Sequence, residues 1–66
     1  MNINKLKGRI VEKGLDIPTV AKMIGIDRSS MYRKLNNAEK ITIGEARKIK
    51  TALELTVEDA CDIFLG

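Results

Sequence analysis

The sequence predicts an all-α fold of five short helices in one domain covering residues 1–66. Apolar residues recur at three- and four-residue spacing in five separate segments, Asp or Thr precedes four of these segments, and glycine follows the first two. A chain of 66 residues is one domain at most, because a domain of this size buries only about 60% of the surface that its unfolded chain exposes. Aromatic residues make up 3% of the chain, so its core must be aliphatic.

The first predicted helix covers Asn4–Lys13, and Gly14 is placed to end it. Gly8 lies inside this helix, where glycine costs about 1 kcal/mol relative to alanine. It marks either a close contact with another helix or a weak helix. The apolar positions repeat at i, i+3 and i+7: Ile3, Leu6 and Ile10.

The second predicted helix begins after Asp16, a favourable N-cap, and ends at Gly25. Pro18 lies in its first turn, where a missing N–H removes no helical hydrogen bond. At barely two turns, this helix depends on packing against its neighbours. Its apolar stripe has a near-ideal helical period: Ile17, Val20, Ala21 and Ile24.

Asp27 is the next N-cap, so the connection to the third helix is only about three residues long. Two helices joined so closely, with a glycine in the joint, are typical of a helix-turn-helix. The third helix is predicted over Arg28–Leu35 and ends near Asn36 and Asn37.

Two further helices begin at threonine caps. Thr42 and Glu45 form a Ser/Thr-x-x-Glu capping box, and Thr56 with Asp59 repeats this signal. Cys61 is expected to be a small core residue on the last helix. The predicted buried stripe of the fourth helix is Ile43, Ala46, Ile49 and Leu53, and that of the fifth is Val57, Ala60, Cys61 and Phe64.

Positive charge is concentrated in the first fifty residues. The chain has 12 Lys and Arg against 9 Asp and Glu. Residues 51–66 contain four acids and no base, whereas the first fifty contain all twelve bases and five acids, a net +7. This distribution fits a polyanionic partner on one side of the domain, with the acidic end kept away from it.

The composition also argues against several classes of protein. There is no His, the single Cys61 cannot form an internal disulfide or a metal cluster, and no glycine-rich phosphate loop is present. We therefore expect no enzyme activity, no metal and no cofactor. The sequence has no apolar run of the ~18 residues that a membrane span needs and no signal-peptide pattern. A cytoplasmic protein is the expectation.

The third helix has two chemically different sides. At 100° per residue, Met31 and Leu35 share one arc, which we expect to pack on the second helix. The opposite arc is cationic and polar, and contains no acid. Arginine can bind guanine O6 and N7 in the major groove, and hydroxyl groups can bind phosphates or base edges. We predict that four residues of this arc read DNA bases: Arg28, Ser29, Tyr32 and Arg33.

From Ile17 to Asn36 the chain resembles the helix-turn-helix of the Cro/C1-type (lambda-repressor-like) DNA-binding family. The segment from Ser29 to Asn36 is also similar to small Cro-type phage regulators, and the flanking helices extend the resemblance over nearly the whole chain. Lys34 departs from the family pattern, which usually has an apolar residue there, and Leu35 is expected to take over the packing. The matching residues are Val20, Ala21, Ile24, Gly25, Ile26 and Met31.

The resemblance implies DNA-backbone contacts after the third helix, and helix-dipole chemistry adds Thr19 at the start of the second helix. Three bases of the first helix, Lys5, Lys7 and Arg9, are expected to be solvated, although one of them can reach a flanking phosphate. The predicted backbone-contact residues are Thr19, Asn36, Asn37, Lys40 and Thr42.

The last helix carries more apolar side chains than one small helix can bury. This surplus indicates either a dimer or partner surface or a tail that folds back. Relatives of this kind often bind as two-fold dimers on operator half-sites about one helical turn apart. The predicted surface consists of Leu55, Val57, Ile63, Phe64 and Leu65.

The sequence therefore predicts a sequence-specific double-stranded DNA-binding regulator, a Cro-like repressor of a phage or mobile element that binds its operator as a homodimer. One alternative is a small antirepressor or antitoxin-like module that uses the same fold to mask another regulator. A second is the DNA-binding domain of a longer repressor.

Overall fold

The computed structural model describes residues 1–37 and 40–65, and over these residues the regular structure is five α-helices. The predicted helices agree with these bounds to within about one residue, so the all-α prediction is confirmed. No helix in the described residues has the length and apolar content of a membrane span. The helices are α1 (Ile3–Glu12), α2 (Ile17–Ile24), α3 (Arg28–Asn36), α4 (Ile43–Ala52) and α5 (Val57–Phe64).

Each helix begins at a side-chain cap. The Oδ1 atom of Asp16 accepts a hydrogen bond of 2.9 Å from the Thr19 N–H, and Asp27 caps α3 in the same way. Thr42 and Thr56 cap α4 and α5, and the box at Thr42 is complete in both directions. These caps confirm the predicted helix starts. Asn2, which was not predicted as a cap, begins α1, and its side chain accepts from the N–H of Lys5.

The turn between α2 and α3 is set by a single glycine. Gly25 has a φ of 80°, in the left-handed region that side chains other than glycine rarely adopt. The N–H of Ile26 then donates to the carbonyl of Ala21 at 3.0 Å, and the N–H of Gly25 donates to the carbonyl of Lys22 at 3.2 Å. These bonds complete a C-cap that ends α2 at once and allows α3 to begin at Arg28.

The core is aliphatic, as predicted, and it is shared by all five helices. α2 packs against both α3 and α4, while α1 packs against α5. Leu35 is 4% exposed, so it does take over the packing position next to Lys34. The buried residues are Leu6, Ile10, Val20, Ala21, Ile24, Met31, Leu35, Ile49, Leu53, Leu55 and Ile63.

Ion pairs join the two ends of the chain. The Nζ atom of Lys5 lies 3.0 Å from the carboxylate of Asp62, and Arg9 lies 3.1 Å from Asp59. The backbone N–H of Asn2 donates to the carbonyl of Ile63 at 2.7 Å. Lys5 and Arg9 are therefore not the freely solvated charges that we predicted, because α5 supplies their counter-charges.

The predicted buried stripe of α4 is wrong at its first residue. Ile43 is 76% exposed, whereas Ile49 and Leu53 are buried. At 100° per residue, Ile43 lies about 80–120° around the helix from those two side chains. It therefore points away from the side of α4 that faces the core.

The predicted buried stripe of α5 is also wrong, because a different side of the helix faces the core. Ile63 is fully buried, Val57 is 70% exposed, and Cys61 is exposed rather than in the core. Asp59 and Asp62 lie on the side of α5 that pairs with α1, and Ile63 lies about 40° beyond Asp59 around the helix, so this pairing favours the rotation that buries Ile63. The side of α5 that carries Val57 and Cys61 therefore faces outward.

Gly8 and Gly25 allow the effect of backbone conformation on stability to be tested, because an added methyl group would be crowded at neither position. A Cβ atom added at Gly8 or at Gly25 would meet no neighbouring atom within 4 Å. Of the two explanations offered for Gly8, this excludes a close contact with another helix and leaves a weak helix. Gly25→Ala should lower the free energy of unfolding by about 1 kcal/mol, because alanine is strained at positive φ. Gly8→Ala should raise it by about 0.5–1 kcal/mol through helix propensity. Urea unfolding of both variants checks this, and a Gly25→Ala variant as stable as the parent chain would contradict the account of the turn.

Candidate nucleic-acid interface

The structure places the four predicted base-reading residues on one exposed side of α3, named here the recognition face: Arg28, Ser29, Tyr32 and Arg33. The opposite side of the same helix is buried, with Met31 1% and Leu35 4% exposed. α3 thus docks on α2 by its apolar side and presents its cationic side to solvent.

Local hydrogen bonds orient the recognition face. One carboxylate oxygen of Asp27 accepts from the N–H of Ser29 at 3.1 Å, so this acid serves as the helix cap. The Nη2 atom of Arg33 donates to the hydroxyl of Ser30 at 3.1 Å. This bond holds the guanidinium along the exposed surface of α3.

Tyr32 extends the recognition face toward α1 and α2. This residue, 46% exposed, borders a groove of about 320 Å³ together with Lys7 and Pro18. Lys7 is exposed, whereas the other two bases considered on α1 are paired with acids of α5. Of the three bases predicted to be solvated, Lys7 is the one that lies beside the recognition face.

The start of α2 is less available to an anion than the sequence analysis expected. Thr19 is exposed, but its N–H and its hydroxyl both hydrogen-bond to Asp16. These bonds, led by that of the hydroxyl, hold the pKa of the Asp16 carboxyl below its ordinary value. The helix end therefore already faces a carboxylate, and Pro18 provides no N–H.

The other predicted backbone-contact residues lie at the end of α3 and after it. Asn36, Asn37, Lys40 and Thr42 are all exposed. A groove of about 250 Å³ opens at this end of α3. Three bases and a hydroxyl line it, which suits an anion such as a phosphate: Ser30, Arg33, Lys34 and Lys40.

Lys34 joins the end of α3 to the start of α4. Its Nζ atom lies 2.8 and 2.9 Å from the two carboxylate oxygens of Glu45 and 3.3 Å from the carbonyl oxygen of Lys40. The hydrogen bond from Lys34 is the main cause that lowers the pKa of the Glu45 carboxyl, and the Thr42 N–H adds to it. This pairing was not predicted. In the sequence Lys34 was only a departure from the family's apolar pattern, because the sequence does not show that Glu45 lies beside it.

Two residues of the predicted partner surface are buried, so that prediction is wrong for them. Leu55 and Ile63 are buried in the core, at 6% and 0% exposed, so they offer no surface. Val57 and Leu65 are 70% and 81% exposed, and Phe64 is partly buried. Leu55, in the connection between α4 and α5, and Ile63, on α5, both face the core.

The exposed residues form part of a wider apolar surface, named here the α4–α5 face: Ile43, Ala46, Val57, Cys61, Phe64 and Leu65. A groove of about 440 Å³ lies on it between α4 and the end of α5. Ile43 could have been assigned to this face from the sequence, because on a helix it lies about 120° around the axis from Ile49, which is buried.

The acidic end of the chain is partly neutralised. The two carboxylates of Glu12 and Asp59 raise the pKa of the Arg9 guanidinium, first through their hydrogen bonds and then through charge. A signal for this pairing exists in the sequence, because Lys5 and Arg9 lie one turn apart on α1, as do Asp59 and Asp62 on α5.

Comparison with known proteins agrees with this geometry. The family model described as the Cro/C1-type HTH DNA-binding domain matches residues 5–64. No curated protein and no solved structure matches the chain. The family match covers both helices of the helix-turn-helix, the recognition face on α3, and the two helices that follow. The chain therefore belongs to the Cro/C1-type HTH DNA-binding family.

Proposed function

We propose that this chain is a sequence-specific regulator of transcription that inserts α3 into the major groove of double-stranded DNA. The observation that carries the proposal is the division of α3 into a buried side and a cationic exposed side. A helix that is fixed by packing on one side keeps its other side in a constant orientation. The major groove is wide enough to admit such a helix.

In this proposal the recognition face reads the bases. Arg28 and Arg33 each form paired hydrogen bonds to a guanine, and Ser29 and Tyr32 contact base edges or neighbouring phosphates. The cationic groove at the end of α3 lies against one DNA strand, and Lys7 lies near the groove beside Tyr32. Positive groups thus lie at the end of the inserted helix and beside its middle residue, Tyr32.

The backbone contacts come mainly from the segment after α3. Asn36, Asn37, Lys40 and Thr42 are the proposed contacts, and Lys40 is the one that brings a full positive charge. Thr19 is proposed as a weaker contact, since its hydroxyl already bonds to Asp16. Such contacts set the position of the protein on the duplex without reading its sequence.

We further propose that residues 1–66 act as one domain and bind an operator as a homodimer through the α4–α5 face. Val57 and Leu65 lie at opposite ends of α5, so an antiparallel pair of α5 helices brings each of them onto the other. Glu58, at the start of α5, then meets Lys50 of the second copy, which lies beside Phe64 and Leu65. The surface is therefore complementary to itself in charge as well as in apolar area.

The proposed role is that of a cytoplasmic Cro-like repressor, of a phage or mobile element, which occupies its operator and excludes the transcription machinery. The exposed α4–α5 face also favours a second candidate, an antirepressor that binds another helix-turn-helix regulator through this surface. The two functions differ in whether the chain alone selects a DNA sequence.

Selection from a random pool of DNA duplexes tests the proposed function. The chain should enrich one sequence, and its affinity for that duplex should fall steeply as salt is raised, because phosphate contacts release counterions. An antirepressor would enrich no sequence and would bind a second helix-turn-helix protein instead. A pool that remains random after repeated rounds would contradict the proposed function.

The recognition face and the backbone contacts should respond differently to substitution. Arg28→Ala or Arg33→Ala should weaken binding to the selected duplex by about 1–3 kcal/mol and relax one base position. Lys40→Ala should weaken binding to all duplexes by a similar factor and reduce the salt dependence. Fluorescence anisotropy with the selected duplex and its single-base variants measures both effects. Equal weakening on every sequence for the arginine variants would refute base reading by those residues.

The dimer is tested by making the α4–α5 face polar without changing its charge. The double variant Val57→Gln and Leu65→Gln should stay folded, since both side chains are exposed, but should bind the selected duplex without cooperativity. Met23→Gln is the matched control, because Met23 is a half-exposed apolar residue of α2 that lines neither groove of the α4–α5 face. Sedimentation of the protein–duplex complexes gives the stoichiometry. Cooperative binding of two copies by the double variant would exclude this face as the dimer surface.

A further inference from the structure

The Lys34–Glu45 pair occupies the joint between the recognition helix and the segment that follows it. Both side chains are largely buried, at 23% and 16% exposed, although neither belongs to the aliphatic core. Lys34 reaches both carboxylate oxygens of Glu45, so this is a close pair of opposite charges rather than a loose surface contact.

The same two side chains also hold the backbone of Lys40 and Thr42. Lys34 donates to the carbonyl of Lys40, and the N–H of Lys40 donates to the carbonyl of Asn37. Glu45 accepts from the N–H of Thr42, and the hydroxyl of Thr42 accepts from the N–H of Glu45. Asn37, Lys40 and Thr42 are three of the proposed backbone contacts, and all three belong to this network.

We infer that Lys34 is a positioning residue, which with Glu45 fixes the backbone of Lys40 and Thr42 relative to α3. The inference rests on the proposed function, in which Lys40 and Thr42 contact phosphates while α3 reads bases. Phosphate contacts set the register of a protein on the duplex. When Lys40 and Thr42 are held in place relative to α3, the phosphate contacts and the base contacts can therefore form at the same time.

Charge alone predicts a different role for the pair. If Lys34 were itself a phosphate contact, Glu45 would only weaken it by neutralising its charge. Removing the carboxylate would then tighten binding to every DNA duplex, because one acid near the phosphates is lost. Positioning predicts the opposite result on the selected duplex, so the two roles can be separated by one substitution.

Glu45→Gln is the substitution that separates them. Glutamine can still complete the capping box, so the start of α4 is kept, while the ion pair with Lys34 is lost. Glu54→Gln is the matched control, since it removes the same charge from an exposed residue just beyond the other end of α4, about 14 Å along the helix axis. The double variant Lys34→Gln and Glu45→Gln removes the pair without changing the net charge.

The probes are the duplex that the unsubstituted chain selects and a scrambled duplex of the same length. Glu45→Gln should bind the selected duplex about fivefold more weakly and the scrambled duplex equally or more tightly, and the double variant should also lose the preference. Glu54→Gln should keep the ratio of the two affinities. Tighter binding of Glu45→Gln to both duplexes by the same factor would overturn the inference.

Amide hydrogen exchange of the free protein tests the inference without DNA. The N–H group of Lys40, which donates to the carbonyl of Asn37, should exchange at least fivefold faster in Glu45→Gln, and at an unchanged rate in Glu54→Gln. Unchanged exchange in Glu45→Gln would also overturn the inference. If the unsubstituted chain selects no duplex, the proposed function fails, and the exchange rates still decide whether the pair fixes the backbone at Lys40.

Discussion

The packing of α3 on α2 is the contact on which the other features of the structure depend. Met31 and Leu35 bury one side of α3, and Ala21 offers a small side chain on α2 in the same core. α3 has only nine residues, so it is too short to be stable without this contact. Gly25 makes the contact possible, because its left-handed backbone reverses the chain within a few residues. The outward direction of Arg28 and Arg33 follows from the burial of the opposite side of the helix.

A second, polar contact determines how the far side of the domain is built. Lys5 and Arg9 on α1 hold Asp62 and Asp59 on α5. Ile63 lies beside Asp59, about 40° around the helix, and is completely buried. The ion pairs are partly exposed and contribute little stability by themselves. Their effect is orientation, because they favour the rotation of α5 that turns Val57 outward.

The sequence was sufficient to predict the features that depend on near neighbours. Asp16, Asp27 and Thr42 act on amides two or three residues away, and Gly25 acts on its own turn, so each left a clear local signal. The two sides of α3 were also predictable, since helical period alone separates Met31 from the arginines. The family match over residues 5–64 agrees with that local analysis.

Features that depend on distant residues were mispredicted or missed. Cys61 fits a helical stripe as well as Ile63 does, and only the contact of α5 with α1 decides which of them is buried. The exposure of Ile43 is a similar case, because the helical period does not say which side of α4 meets the core. The Lys34–Glu45 pair joins residues eleven positions apart on different helices, so neither residue type nor spacing revealed it.

The central claim is that the exposed side of α3 is the surface that meets DNA. Its most direct test is a titration of the isotopically labelled chain with the selected duplex, followed by amide chemical shifts. The account predicts that the largest shift changes fall on Arg28–Arg33 and on Asn37 and Lys40. Changes confined to α5, with the amides of α3 unmoved, would contradict it.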